Sequence, residues 1–150
     1  DEWAVAQMAP GEVEIWRSMW NPDRRHAVGV GRRVERALGS EATRPVLAAA
    51  LLHDCGKTAS GLHTYGRVIA TVSGKVVRND ENTLRDWSRV RGFTRNVGLY
   101  LRHAELGGDL LALAGSDPLT VAWTREHHLP EDQWTVPAEV GRVLKAADDD

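Results

Sequence analysis

The chain is expected to be all-α, and three observations predict it. Apolar residues recur at helical spacing through most of the 150 residues. Several periodic segments open on Pro or a short polar residue and close on Gly, which is the punctuation of helices. The few β-branched runs have no evident partner strand.

The elements follow in order. Trp16 and Trp20 stand at i, i+4 on an N-terminal helix, the spacing of a packing face rather than of base stacking. Asn21-Pro22-Asp23 starts the next helix, with Asn21 as cap, Pro22 in the first turn and Asp23 at the positive end of the macrodipole. Its apolar face is Ala27, Val30, Val34 and Ala37, and it stops at Gly39. A second helix covers 44–55, with Pro45 in its first turn and Gly56 as its breaker. Residues 58–97 carry Gly61, Gly66, Gly74 and the polar run Asn79-Asp80-Glu81-Asn82, so they read as two modest helices around a connection. Val68, Ile69, Val72, Val76 and Val77 leave a strand or a membrane-surface helix open there. Further helices are expected over 100–114, over 117–127 with Ser116 or Asp117 as cap, and over 137–148 with Val140, Val143, Leu144 and Ala147 on one face.

With 42% hydrophobic and 27% charged residues the composition is globular, not disordered. At this length folding buries roughly 70% of the unfolded chain's surface, so one core suffices and a single domain over 1–150 is expected. The longest apolar stretch, 46–52, is far too short for a membrane span and ends in His53-Asp54, so it reads as a buried helix segment. A lone cysteine, Cys55, cannot form an internal disulfide, which points to a reducing, cytoplasmic setting. Between Lys57 and Arg102 nine basic residues face three acidic ones, against a net charge of −2 for the whole chain. That polarity suits steering of an anionic ligand, or is the solvated face of helices. Slight overall acidity and the lack of a recognition motif speak against nucleic-acid binding.

Five of the six histidines sit at or beside helical segments: His26, His53 next to Asp54, His103, and the pair His127-His128. Asp148 follows the apolar face of the last helix. Imidazole nitrogen and carboxylate oxygen are the donors that Mn, Fe, Co, Ni and Zn accept, and one thiol excludes a cysteine-rich site. The apolar helix before His53-Asp54 carries that pair toward the core, where an ionised carboxylate is costly unless paired or metal-bound. A single histidine on a helix is usually a packing residue; a His, His-Asp, His, His-His, Asp series on successive helices is not expected by accident.

Taken together, Arg25-His26, Leu52-His53-Asp54-Cys55-Gly56-Lys57, His103-Ala104-Glu105-Leu106-Gly107, His127-His128 and Ala147-Asp148 resemble the motifs of the HD superfamily of metal-dependent phosphohydrolases, in that order. The 103–107 spacing and the doubled histidine look most like the HD-GYP-like branch, although Leu129-Pro130-Glu131-Asp132 follows where Gly-Tyr-Pro would stand. The resemblance implies a bundle of about six to eight helices around a central binuclear site. His26, His53, Asp54 and Asp148 would hold one divalent ion and Asp54, His103, His127 and His128 the other, with Asp54 bridging. Fe, Mn, Co or Ni are the implied ions, with Zn or Mg as further candidates, and a single ion on the His, His-Asp, Asp set is the simpler variant. The implied reaction is hydrolysis of a phosphomonoester or phosphodiester in a nucleotide or related small molecule. Metal-held water, its pKa lowered toward neutrality, supplies the hydroxide, and two ions about 3.5 to 4 Å apart clamp the reacting oxygens.

Beyond the ligands, Lys57 follows Gly56 where its ammonium reaches a phosphoryl oxygen, or else complements a helix C-terminus. With Asp54 it forms the expected catalytic pair, and Arg25 is a second candidate for phosphate contact. Arg67, Arg91 and Arg95 are candidates to line the approach. Cys55 reads as a buried helix-terminal residue and His63 as a surface or pocket-edge residue. Two rival functions share the ligand set: a di-iron oxygenase, against which Lys57 and the basic segment speak, and a non-catalytic metal-binding signalling module, against which seven filled ligand positions speak.

Overall fold

Seven consecutive apolar residues, Val46 to Leu52, leave a helix no polar face to turn to solvent, so the other elements must surround it. The computed structural model describes residues 2–61, 73, 75, 77, 78 and 80–150. Among them are nine α-helices and no strand. The helices are α1 (Glu2–Ala6), α2 (Pro10–Ser18), α3 (Asn21–Leu38), α4 (Arg44–Leu52), α5 (Glu81–Arg89), α6 (Phe93–Leu101), α7 (His103–Leu113), α8 (Pro118–Glu126) and α9 (Ala138–Asp149). Short 3₁₀ turns occupy Gly39–Glu41, Cys55–Ser60 and Glu131–Gln133. The fold is all-α, as expected, with a helix more than the largest number the resemblance implied.

The α4 helix divides its side chains between two apolar clusters. Ala48, Leu51 and Leu52 pack with Ala4, Met8, Trp16, Ala27 and Leu111. Val46, Leu47, Ala49 and Ala50 pack with Val30, Val34, Trp123, Leu144 and Ala147. Leu51 and Leu52 are fully buried, each stabilising the fold by about 1.5–3 kcal/mol relative to exposure. Helices α3 and α8 flank α4, α9 lies along α3, and α7 packs on α8 and on the Cys55–Ser60 turn. This places the C-terminal end of α4 among α3, α7, α8 and α9.

Several boundaries differ from the sequence reading. Trp20, in extended backbone, occupies the cap position of α3, so Asn21 is its first residue and its Oδ1 accepts from the Arg24 guanidinium. On that helix Ala27, Val30, Gly31 and Val34 are buried, while Ala37 is exposed and Leu38 packs instead. Gly39 ends it with φ 54°, a conformation that suits a residue without a side chain. Trp16 is buried on α2 as its spacing suggests, but Trp20 lies in the short connection beyond that helix and is 36% exposed. The α4 helix ends at Leu52, three residues before the expected end, because the chain turns at His53-Asp54. The expected helix over 100–114 is two helices broken at Arg102 (φ −101°, ψ 15°). Asp117 caps α8, accepting from Leu119 N at 2.9 Å. Within 58–97 two described helices, α5 and α6, pack on each other. The Val68, Ile69, Val72 and Val76 alternative lies outside the described residues, as do Arg67 and His63.

Candidate metal centre

Gly56 explains why the turn after α4 meets α7. A Cβ there would lie 1.9 Å from His103 O and 2.7 Å from Gly107 N, so only glycine lets the two backbones touch. Gly107 is the complementary half, with Gly56 N and Cys55 Sγ just beyond the position of its absent Cβ. That contact seats Asp54 against His103, which the break at Arg102 sets at the first position of α7. His127 follows α8 directly. Buried Glu126 fixes that end by accepting from Thr135 N at 2.7 Å and from Thr135 Oγ1 at 2.5 Å. Asp148 lies in the last turn of α9, which Arg33 of α3 holds by donating from Nε to Ala147 O at 2.8 Å. His26 comes from the first turns of α3.

All seven expected ligands converge. Asp54, His103, His127 and His128 form one group and His26, His53 and Asp148 another, the donor atoms within each lying within 4.8 Å of one another. Asp54 faces both sides. Its Oδ1 is 3.3 Å from His103 Nε2 and 3.8 Å from His127 Nε2, and its Oδ2 is 3.5 Å from His53 Nε2. Asp148 Oδ1 lies 3.0 Å from His26 Nε2 and 3.2 Å from His53 Nε2. His128 Nε2 lies 3.1 Å from His103 Nε2. Donors held by one ion at about 2.0–2.2 Å stand roughly 3–3.6 Å apart, so these separations suit a shared cation with little movement.

The backbone sets the direction of the imidazoles. His53 Nδ1 pairs with Ala50 O at 2.9 Å, His103 Nδ1 with Tyr100 O at 2.8 Å and His127 Nδ1 with Thr124 O at 2.9 Å. In each case the acceptor is the carbonyl three residues back. A ring that donates through Nδ1 presents Nε2 as a lone pair when neutral, which is the usual orientation device for a metal-binding histidine. His53 Nε2 and His127 Nε2 are buried and make no aligned hydrogen bond, a costly state that a cation would relieve. The donor set therefore could hold a metal ion.

The electrostatics agree. Burial and the neighbouring His128 and His53 push the His127 pKa well below its ordinary value, so its ring stays neutral. Burial and His103 bring His128 down to about 4. At His53 burial lowers the pKa, but the Asp148 and Asp54 carboxylates outweigh it and raise the value. At Asp54 burial acts upward but is overcome by the His103 hydrogen bond and by His53 and Lys57, which hold the carboxyl well below the usual range. Asp148 is likewise lowered against burial, by His53 and His26.

Lys57 sits where two roles meet. Its ammonium pairs with Asp54 Oδ2, and its side chain lines a pocket of about 590 Å³ that His103 and His128 also line. Arg85, Arg102 and Arg125 add cationic groups to the wall, and Leu84, Tyr100, Leu101 and Leu129 add apolar and aromatic surface. Arg102 is fixed by donating to Ser88 Oγ at 2.8 Å and to Glu105 Oε2 at 3.1 Å. Arg25 lines a different pocket, with Asn21, Arg24 and Val28. Arg91 and Arg95 are exposed and do not line the Lys57 pocket. Cys55 is buried with its thiol pushed up to about 12, chiefly by burial and then by Asp54, which leaves it inert at neutral pH.

No family model, no curated protein and no solved structure matches this chain. No helix among the described residues is long and apolar enough to cross a membrane. Sequence reasoning missed Arg33, Glu126, Arg85, Arg102 and Arg125. Of these only Arg85 and Arg102 had a signal, since both belong to the basic segment between Lys57 and Arg102.

Proposed function

We propose that this chain is a metal-dependent phosphohydrolase of the HD type, using two divalent transition-metal ions, Fe, Mn, Co or Ni, on a nucleotide or a related small phosphoester. One observation carries the reading: a single carboxylate, Asp54, has one oxygen toward His103 and His127 and the other toward His53, so that it joins the two His/Asp groups. The order of the motifs and their likeness to HD phosphohydrolases supports the same choice. When bound, the metals supply Lewis acidity, polarising a phosphoryl oxygen and lowering the pKa of water.

The residues of the chain do the rest. His103, His127 and His128 with Asp54 would hold one ion, and His26, His53 and Asp148, sharing Asp54, the other. The Nδ1 contacts to carbonyls fix three of the rings before any ion arrives, so little ordering is left for binding. Lys57 stands between the carboxylate and the pocket, where its ammonium meets negative charge developing on a phosphoryl group. The pocket falls within the roughly 300–1,000 Å³ typical of small-molecule sites, and its mixture of arginines with Tyr100 and leucines suits a phosphate attached to an organic group.

The deciding experiment is elemental analysis of the purified protein beside a phosphatase and phosphodiesterase screen with Mn, Fe, Co, Ni and Mg added back. Bound transition metal and phosphate release that a chelator stops are the expected results. Iron with oxygen uptake and no phosphoester hydrolysis would replace the reading with a di-iron oxygenase. Bound metal with neither activity would leave a metal-binding module.

A further inference from the structure

We infer that the two halves of this centre are unequal: the Asp54-His103-His127-His128 half retains its ion, and the His26-His53-Asp148 half exchanges its ion with solvent. The inference rests on the reading that the group binds metal, and concerns how the chain's own residues divide that task.

The halves differ first in number of donors. Four side chains converge in one and three in the other, and among zinc sites four protein ligands mark the closed, retained kind while three leave a position open. They differ next in access. His127, His103 and Asp54 are 1%, 9% and 10% exposed at their side chains, with His128 at the outer edge on the pocket wall. In the other half His53 is buried, but Asp148 is 18% and His26 43% exposed. They differ also in preorganisation. His103 and His127 are both pinned through Nδ1, whereas the second half has His53 pinned and His26 without such an anchor among the described residues.

Lys57 adds a direct competitor. Its ammonium pairs with Asp54 Oδ2, the oxygen nearer His53, while Oδ1 faces His103 and His127. An ion entering the second half must displace that ammonium to gain Asp54 as a ligand; an ion entering the first half need not. The displaced ammonium still borders the pocket, so filling the second half also delivers Lys57 to an anionic ligand.

The test is metal content of the intact chain, with no activity involved. Protein loaded with Mn or Co is dialysed against a chelator and analysed over time, and the expected result is about one ion per chain lost quickly and about one retained. His26→Ala, at a solvent-exposed position that should tolerate substitution, should lose the exchanging ion and keep the retained one. Lys57→Met should bind the exchanging ion about tenfold more tightly by isothermal titration, a gain of about 1.4 kcal/mol. Departure of both ions at one rate, loss of both in His26→Ala, or an unchanged affinity in Lys57→Met would each overturn the inequality while leaving a binuclear site standing. Failure of any ion to bind the unaltered protein would overturn the metal reading itself.

Discussion

Asp54 is placed by a short chain of causes, from the apolar run that buries α4, through the turn at its end, to an acid 8% exposed and surrounded by imidazoles and one ammonium. Removing it takes away the carboxylate common to both groups. Asp54→Ala is therefore expected to abolish metal retention and turnover together, read by elemental analysis and phosphate release; full metal content in that variant would show the site to be misassigned. Lys57→Ala should keep its metal and lose about a hundredfold in kcat, the scale of removing one charge-stabilising donor from an active site. The histidines predict a pH dependence for the metal-free protein. His127 and His128 are depressed in the folded state, so the unfolded chain binds more protons than the folded one between the ordinary value of 6.5 and the His128 value of about 4. Stability then falls as pH drops through that window. His53 is raised, so its contribution is already complete below 6.5 and is lost only as pH rises through its folded value. Asp54 is lowered, so what it contributes is present above the ordinary carboxylate range and is lost at still more acid pH. A melting temperature in chelator that declines from pH 6.5 to pH 4.5 is the expected record, and a flat one would mean that the two rings are not held neutral.

At the scale of elements, the contact between Gly56 and the start of α7 decides whether the ligands meet. A methyl group at Gly56 would stand 1.9 Å from His103 O, and both partners there are backbone, which cannot rotate aside. Gly56→Ala should cost about 3 kcal/mol or more in urea denaturation and should weaken metal retention with it. The His-Asp-x-Gly-Lys string made the ligands legible, but not the reason for its glycine, which reads from sequence as a helix breaker and acts as a docking surface. Helix existence was likewise legible from periodicity and Pro or Gly punctuation at α3, α8 and α9. The break at Arg102 was not, because neither Pro nor Gly marks it and apolar spacing continues from Tyr100 through Leu111. Asn21 misled for the opposite reason: it is a good capping residue, yet extended Trp20 already occupies the cap position. The pocket arginines come from α5, α8 and the 102 break, so their meeting depends on tertiary packing that no local pattern encodes.

For the molecule as a whole, the ligands come from α3, the turn after α4, the start of α7, the end of α8 and the last turn of α9. Any ion that binds the folded arrangement and not the unfolded chain stabilises all five connections at once. Chelation is expected to lower the melting temperature by about 5 °C or more, measured calorimetrically on loaded and stripped protein. The apolar clusters on either side of α4 should keep the stripped chain folded, which circular dichroism would show as unchanged helicity. Cys55 gives this arrangement a built-in reporter. Its thiol lies between Asp54 and Gly56, fully enclosed and protonated, so an alkylating reagent cannot reach it while the turn is seated on α7. As the chain has no other thiol, the rate of labelling counts the occasions on which that one seam parts, residue-specifically and without any introduced probe.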